Sequence, residues 1–164
     1  MPLFEHTYAD KTKDSQESAG LDLPAHQVLQ LLGPVLQVVI SPTPQYLNAR
    51  EQRGGEPIQP KAGLALIDTG ASVTAVDEGV CRDLGLQPTD RIGISHAGGV
   101  SEHLCYPVQI LFPGTPLPPI IDARVVSVRL HEGKQPILLL LGRDVLSTLR
   151  LVYNGLEGRI EVAF

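Results

Sequence analysis

Apolar positions in this chain fall mostly in short runs of period two, the spacing of strands that bury one face. Leu36, Val38 and Ile40 are separated by Gln37 and Val39, which predicts a first strand over Val35 to Ile40. Ahead of it, Val28, Leu29, Leu31 and Leu32 follow Leu23-Pro24 at helical spacing and stop at Gly33-Pro34, the signature of a short helix. Leu64 to Ile67 is an apolar run that ends directly in Asp68. Val73 to Val76 is β-prone, and Asp77 is placed to cap a helix through Leu84 that Gly85 would stop, with Val80, Cys81 and Leu84 as its buried stripe.

Arg91 to Ser101 reads as two β-like arms around Gly98-Gly99, a hairpin whose tip can adopt positive φ angles. Tyr106, Val108, Ile110 and Phe112 alternate again, as do Val126, Val128 and Leu130 within a strand over Ala123 to Leu130. A polar turn, His131 to Lys134, leads to Ile137 to Leu141, which lacks alternation, as a strand buried on both faces would. Val145 to Leu149 follows as a short helix. Leu151 to Tyr153, an Asn154-Gly155 turn, and Ile160, Val162 and Phe164 close the chain as strand, turn and strand. Two stretches carry no such pattern. Residues 1–20 are polar and charged and are expected to form a disordered arm, and Ser41 to Lys61, rich in Pro and Gly, is expected to be a long loop. The prediction is an all-β fold with one or two short helices, in a single domain over residues 21–164.

Composition narrows the functions available. The 164 residues are 43% hydrophobic, with three Phe, four Tyr, no Trp, 14 Pro and 16 Gly, which suits an aliphatic core reached by short strands and turns. Thirteen basic residues against 18 acidic give a formal charge of −5 with no Lys/Arg cluster, so a nucleic-acid partner is not expected. No basic segment leads into an apolar one at the start, and no apolar run approaches membrane-spanning length. The expectation is a cytoplasmic chain with no membrane partner. Cys81 and Cys105 lack metal-like spacing and are expected to be reduced and partly buried. His6, His26, His96, His103 and His131 are dispersed and define no metal site, although His103 and Cys105 would share one face of a strand.

The candidate chemistry lies at Asp68-Thr69-Gly70-Ala71-Ser72. A carboxylate at the end of a buried strand loses hydration and must be hydrogen-bonded, paired, or share a proton. Taken alone, Asp68 could simply begin a turn satisfied by Thr69 and Ser72. Further along, the apolar run Ile137 to Leu141 ends in Gly142-Arg143-Asp144 before a short helix. The two motifs together, in this order and spacing, resemble the retropepsins, the single-lobe aspartic proteases of retroviruses and their cellular and bacterial relatives. The resemblance covers about Gly33 to Phe164.

It implies a closed acid-protease lobe that acts as a symmetric homodimer on polypeptide substrates, without metal or cofactor. Asp-Thr-Gly occurs once here, so the second carboxylate would come from another copy. Asp68 would be catalytic, Thr69 would brace the two turns across the dimer, and Gly70 would supply backbone groups near the carboxylates. Ala71 and Ser72 would lie along the substrate, and Arg91 to Ser101 would be the flap, touching it through His96, Ala97, Gly98 and Gly99. Terminal strands would interleave between subunits, with packing on the chain's own lobe as the competing explanation. Gly142, Arg143 and Asp144 would be structural, Asp144 as the cap of the helix after it. Two departures stand out. The 41–61 link is longer than in retroviral enzymes, and the acid that pairs there with the arginine is replaced by Ser72, leaving Arg143 to bond local backbone or pair elsewhere. A retropepsin-fold dimer that binds peptides without cleaving them, and a redox or metal protein using Cys81, Cys105 and His103, are the alternatives of other classes.

Overall fold

A computed structural model describes residues 3–8, 23–96, 99–130 and 137–164. In chain order the elements are β1 (Leu3–Thr7), α1 (Ala25–Leu32), β2 (Val35–Pro42), α2 (Pro44–Gln52), β3 (Lys61–Ile67), β4 (Ala75–Asp77), α3 (Glu78–Asp83), β5 (Asp90–His96), β6 (Gly99–Leu111), β7 (Ile120–Val128), β8 (Ile137–Leu141), α4 (Arg143–Leu146), β9 (Arg150–Asn154) and β10 (Arg159–Ala163). Seven strands form one sheet in the order β2-β3-β8-β4-β7-β6-β5, and β2 also pairs with β6, so the sheet curls back on itself. Closure removes the free edge of β2 and encloses a core of Leu36, Val38, Ile40, Ile67, Val108, Ile110, Leu139 and Leu141. A second, smaller cluster, Ala75, Cys105 and Val126, sits apart from it.

The mainly β architecture is as expected, but the described residues contain four helices rather than one or two. Three of them fall at or overlap the stretches read as helical, and the fourth, α2, occupies the stretch expected to be a loop. Thr43 Oγ1 accepts the Tyr46 N–H at 3.3 Å, and Pro44 takes the first turn, where its missing N–H costs nothing. No residue of α2 is buried, so it has no apolar stripe for periodicity to reveal.

Residues 3–8 of the N-terminal arm differ from the expectation, while residues 9–20 lie outside the described residues. Leu3–Thr7 is a strand paired antiparallel with β10, from Leu3↔Ala163 to Thr7↔Arg159. Tyr8 is buried behind it, its hydroxyl donating to Gly33 O at 2.9 Å and accepting from Val35 N at 2.7 Å, which ties the strand to the start of β2. β10 is therefore flanked by β1 and β9 of its own chain. Ile160 and Val162 are fully buried in the chain's own core, so their apolar side chains need no partner strand to cover them. The polar turn expected at 131–134 lies outside the described residues.

Candidate active site

Strands β3 and β8 run parallel, with Ile67 beside Leu141 and both in the main core. Asp68 is the next residue, and its N–H donates to Leu141 O at 3.0 Å, so the buried pair delivers the aspartate to a fixed place. The chain then turns back on itself. Asp68 Oδ1 accepts from Gly70 N at 2.8 Å and Ala71 N at 3.2 Å, and Asp68 O also accepts from Ala71 N. Asp68 is half-buried while Thr69 and Gly70 are exposed, so the carboxylate is held by the turn and still reaches the surface.

The second motif grips this turn from the opposite side. Arg143 Nη1 donates to Thr69 O at 2.8 Å and Gly70 O at 3.1 Å, and Arg143 N donates to Ala71 O at 3.0 Å. Of the two roles left open for Arg143, the structure displays the bond to local backbone. A planar guanidinium bridging two successive carbonyls fixes the peptide planes on which the aspartate depends. Ala71 has its N–H and C=O both engaged within this scaffold, and Ser72 beside it is exposed.

Asp144 does not cap the helix, since Gly142 holds that position. Its carboxylate instead reaches across to Thr74, accepting from Thr74 N at 2.8 Å and Thr74 Oγ1 at 2.7 Å, and it also takes the Val145 N–H at 2.9 Å. The Thr74 hydroxyl in turn accepts from Gly142 N at 3.1 Å. Thr74 is 1% exposed, and in the sequence it is marked only as part of a β-prone stretch. Gly142 is where the two segments come closest, for a Cβ there would lie 2.5 Å from Val73 C and 2.6 Å from Val73 O.

This network predicts that Thr74→Val, which keeps shape but loses the hydroxyl, destabilises the chain by about 2 kcal/mol. The substitution leaves the buried Gly142 N–H without an acceptor and deprives Asp144 of a partner. Thr74→Ser should restore most of the loss, as read from urea unfolding midpoints.

Of the other expected site residues, His96 and Gly99 form the last cross-strand pair of β5 and β6, and Gly99 has φ +117°. Ala97 and Gly98 lie outside the described residues. Cys81 is buried, and burial first, then the nearby Asp77 and Glu78, push its thiol up to about 12, which makes it a poor nucleophile. Cys105 is fully buried. Among the described residues no three His, Cys, Asp or Glu side chains come together as a metal site would require, and no helix is long and apolar enough to cross a membrane. A cavity of about 740 Å³ lies beside α3, lined by Lys61, Asp77, Glu78, Arg82 and Arg129, and the Asp68 turn takes no part in it.

No protein-family model matches the chain. None of the curated proteins matches it either. Matching solved structures include EIAV protease in complex with an inhibitor, 22% identical over 70% of this chain and 86% of that one, with a TM-score of 0.44. Simian Foamy Virus (mac) protease matches at 18% identity over 70% of this chain and 92% of that one, with a TM-score of 0.42. A retropepsin-like aspartic protease from Rickettsia conorii matches at 13% identity, 80% and 92% coverage and a TM-score of 0.39. These are likenesses of a retropepsin-like fold.

Proposed function

We propose that the chain is an aspartic endopeptidase, active as a symmetric homodimer in which each copy supplies one Asp68. The observation that carries this reading is the presentation of Asp68. A single carboxylate emerges from a buried parallel pair, is held at Oδ1 by the Gly70 and Ala71 N–H groups, and is braced from behind by Arg143. One carboxylate is half of an acid–base pair, and a two-fold axis beside the turn would supply the other half.

Two carboxylates brought together in this way cannot both ionise and share one proton, an arrangement for which aspartic proteases are themselves a standard illustration. The ionised Asp68 takes a proton from a water held between the pair as the water oxygen attacks the scissile carbonyl. The protonated Asp68 hydrogen-bonds the developing oxyanion, and a proton passes to the departing amine as the C–N bond breaks. In this reading Thr69 braces the partner's turn, the β5–β6 hairpin closes as the flap over an extended peptide, and Ala71, Ser72 and residues 96–99 run along it. We assign it to the cytoplasm, where its two thiols remain reduced.

The reading is tested by following peptide cleavage and sedimentation over the same range of protein concentration. Activity per chain should rise in step with the dimer fraction. Activity that stays constant per chain where only monomer sediments would overturn the shared site.

A further inference from the structure

Cross-strand partners in an antiparallel pair point to the same face. On β5 and β6, Ile92 is opposite His103 and Ile94 is opposite Ser101, so these four side chains share one face, and Cys105 joins them by alternation. Cys105, Ala75 and Val126 are the small second cluster, and Val73, Ile92, Ile94, Val128 and Leu140 pack against it. Two of these adjoin the candidate site. Val73 follows Ser72, and Leu140 precedes Leu141, whose carbonyl holds the Asp68 N–H. The face is therefore an apolar wall whose members Val73 and Leu140 stand on the two segments that carry and hold the Asp68 turn, and Ser101 and His103 are the polar groups on it.

Their hydrogen bonds fix their chemistry. His103 Nδ1 lies 3.0 Å from Ser127 O, and His103 Nε2 lies 2.7 Å from Ser101 Oγ. A carbonyl can only accept, so Nδ1 carries the proton, and in the neutral ring Nε2 is left as the acceptor. The Ser101 hydroxyl must then donate to Nε2. With its only proton committed, Ser101 Oγ has just lone pairs to offer an incoming group. Both residues are half-buried, so Val or Leu at these positions would cover the wall without the cost of desolvating polar groups.

We propose that Ser101 and His103 form a polar subsite in the wall leading to Asp68, which selects extended peptides bearing a hydrogen-bond-donating side chain such as the amide of Gln. The proposal rests on the peptidase reading for the position of the bound peptide. His103 acts as the orienting base of the pair, and Ser101 Oγ is the atom that meets the ligand.

The test uses the Asp68→Asn chain, so that binding is read without cleavage. Fluorescent peptides from a positional library, in which each position in turn is Gln or the near-isosteric Met, are titrated by anisotropy at one fixed pH. At one position Gln should bind three- to tenfold more tightly than Met, roughly the worth of one hydrogen bond. Adding Ser101→Ala should bring that ratio to about one while preferences at other positions stay as they were, and Ser101→Thr, which keeps the hydroxyl, should restore it. A ratio unchanged by Ser101→Ala, no position favouring Gln, or no binding of any library member would overturn the subsite. Failure of the peptidase reading looks different. The chain with Asp68 intact would then cleave no member of the library, while the Ser101-dependent preference for Gln persisted and upheld the subsite.

Discussion

Asp68→Asn is expected to reduce peptide cleavage about a thousandfold or more while leaving the chain folded. Asparagine keeps the shape of the side chain, and its carbonyl oxygen can still accept the Gly70 and Ala71 N–H groups that Oδ1 accepts now. The turn therefore survives, and thermal unfolding should shift by no more than about 1 kcal/mol equivalent, as for a substitution that leaves packing in place. What is lost is the ability to hold and release the shared proton. Because each site needs both copies, the variant should also act on its partner. Adding an equal amount of Asp68→Asn chain to the unaltered one, after subunit exchange, should lower total activity to about half, since random pairing leaves that fraction of the original intact dimers. Undiminished activity after demonstrated exchange would mean that one chain suffices, and unaltered cleavage by the purified variant would end the aspartic-protease reading.

The parts of this architecture that could be read from sequence are those in which local pattern and tertiary burial agree. β2 and the Tyr106 to Leu111 stretch of β6 alternate because one face meets the core, whereas β8 is apolar throughout although only Ile137, Leu139 and Leu141 are buried and Leu138 and Leu140 on its other face are half-buried. α2 escaped notice because an exposed helix has no apolar period, although its Thr43-Pro44 start was present. β1 escaped because Phe4 is the one residue of the strand that is not exposed, so no apolar alternation marks it, and the strand it pairs with lies at the far end of the chain. The Asp-Thr-Gly and Gly-Arg-Asp motifs marked two segments that the structure holds together through Arg143. The acceptors of Arg143 were not legible, because backbone carbonyls carry no side-chain signature. Thr74 was likewise hidden, since its partner Asp144 is 70 residues away and nothing local distinguishes it from any β-prone threonine.

Gly142→Ala should be the most damaging small substitution at the site, costing about 3 kcal/mol or more, at or above the upper end of the usual overpacking penalty. The reason is space, not backbone freedom. Gly142 has φ −85° and ψ 177°, which alanine adopts readily. A Cβ would nevertheless stand 2.5 Å from Val73 C, 2.6 Å from Val73 O and 2.8 Å from Thr74 N, all backbone atoms that cannot rotate aside. Relief requires moving β8 and the 73–74 segment apart. That movement stretches the Gly142 N–H bond to Thr74 and the Thr74 bonds to Asp144, and it carries Arg143 away from the Thr69 and Gly70 carbonyls. Stability and activity should therefore fall together, with the catalytic rate depressed even at temperatures where circular dichroism shows the variant folded. Gly114→Ala is the control, because that glycine has φ +73° but open space around it, so alanine there costs about 1 kcal/mol of backbone strain without reaching the site. A Gly142→Ala chain that unfolds in urea within about 1 kcal/mol of the parent would show that the two segments can separate freely, and that the clamp on the Asp68 turn is looser than its distances indicate.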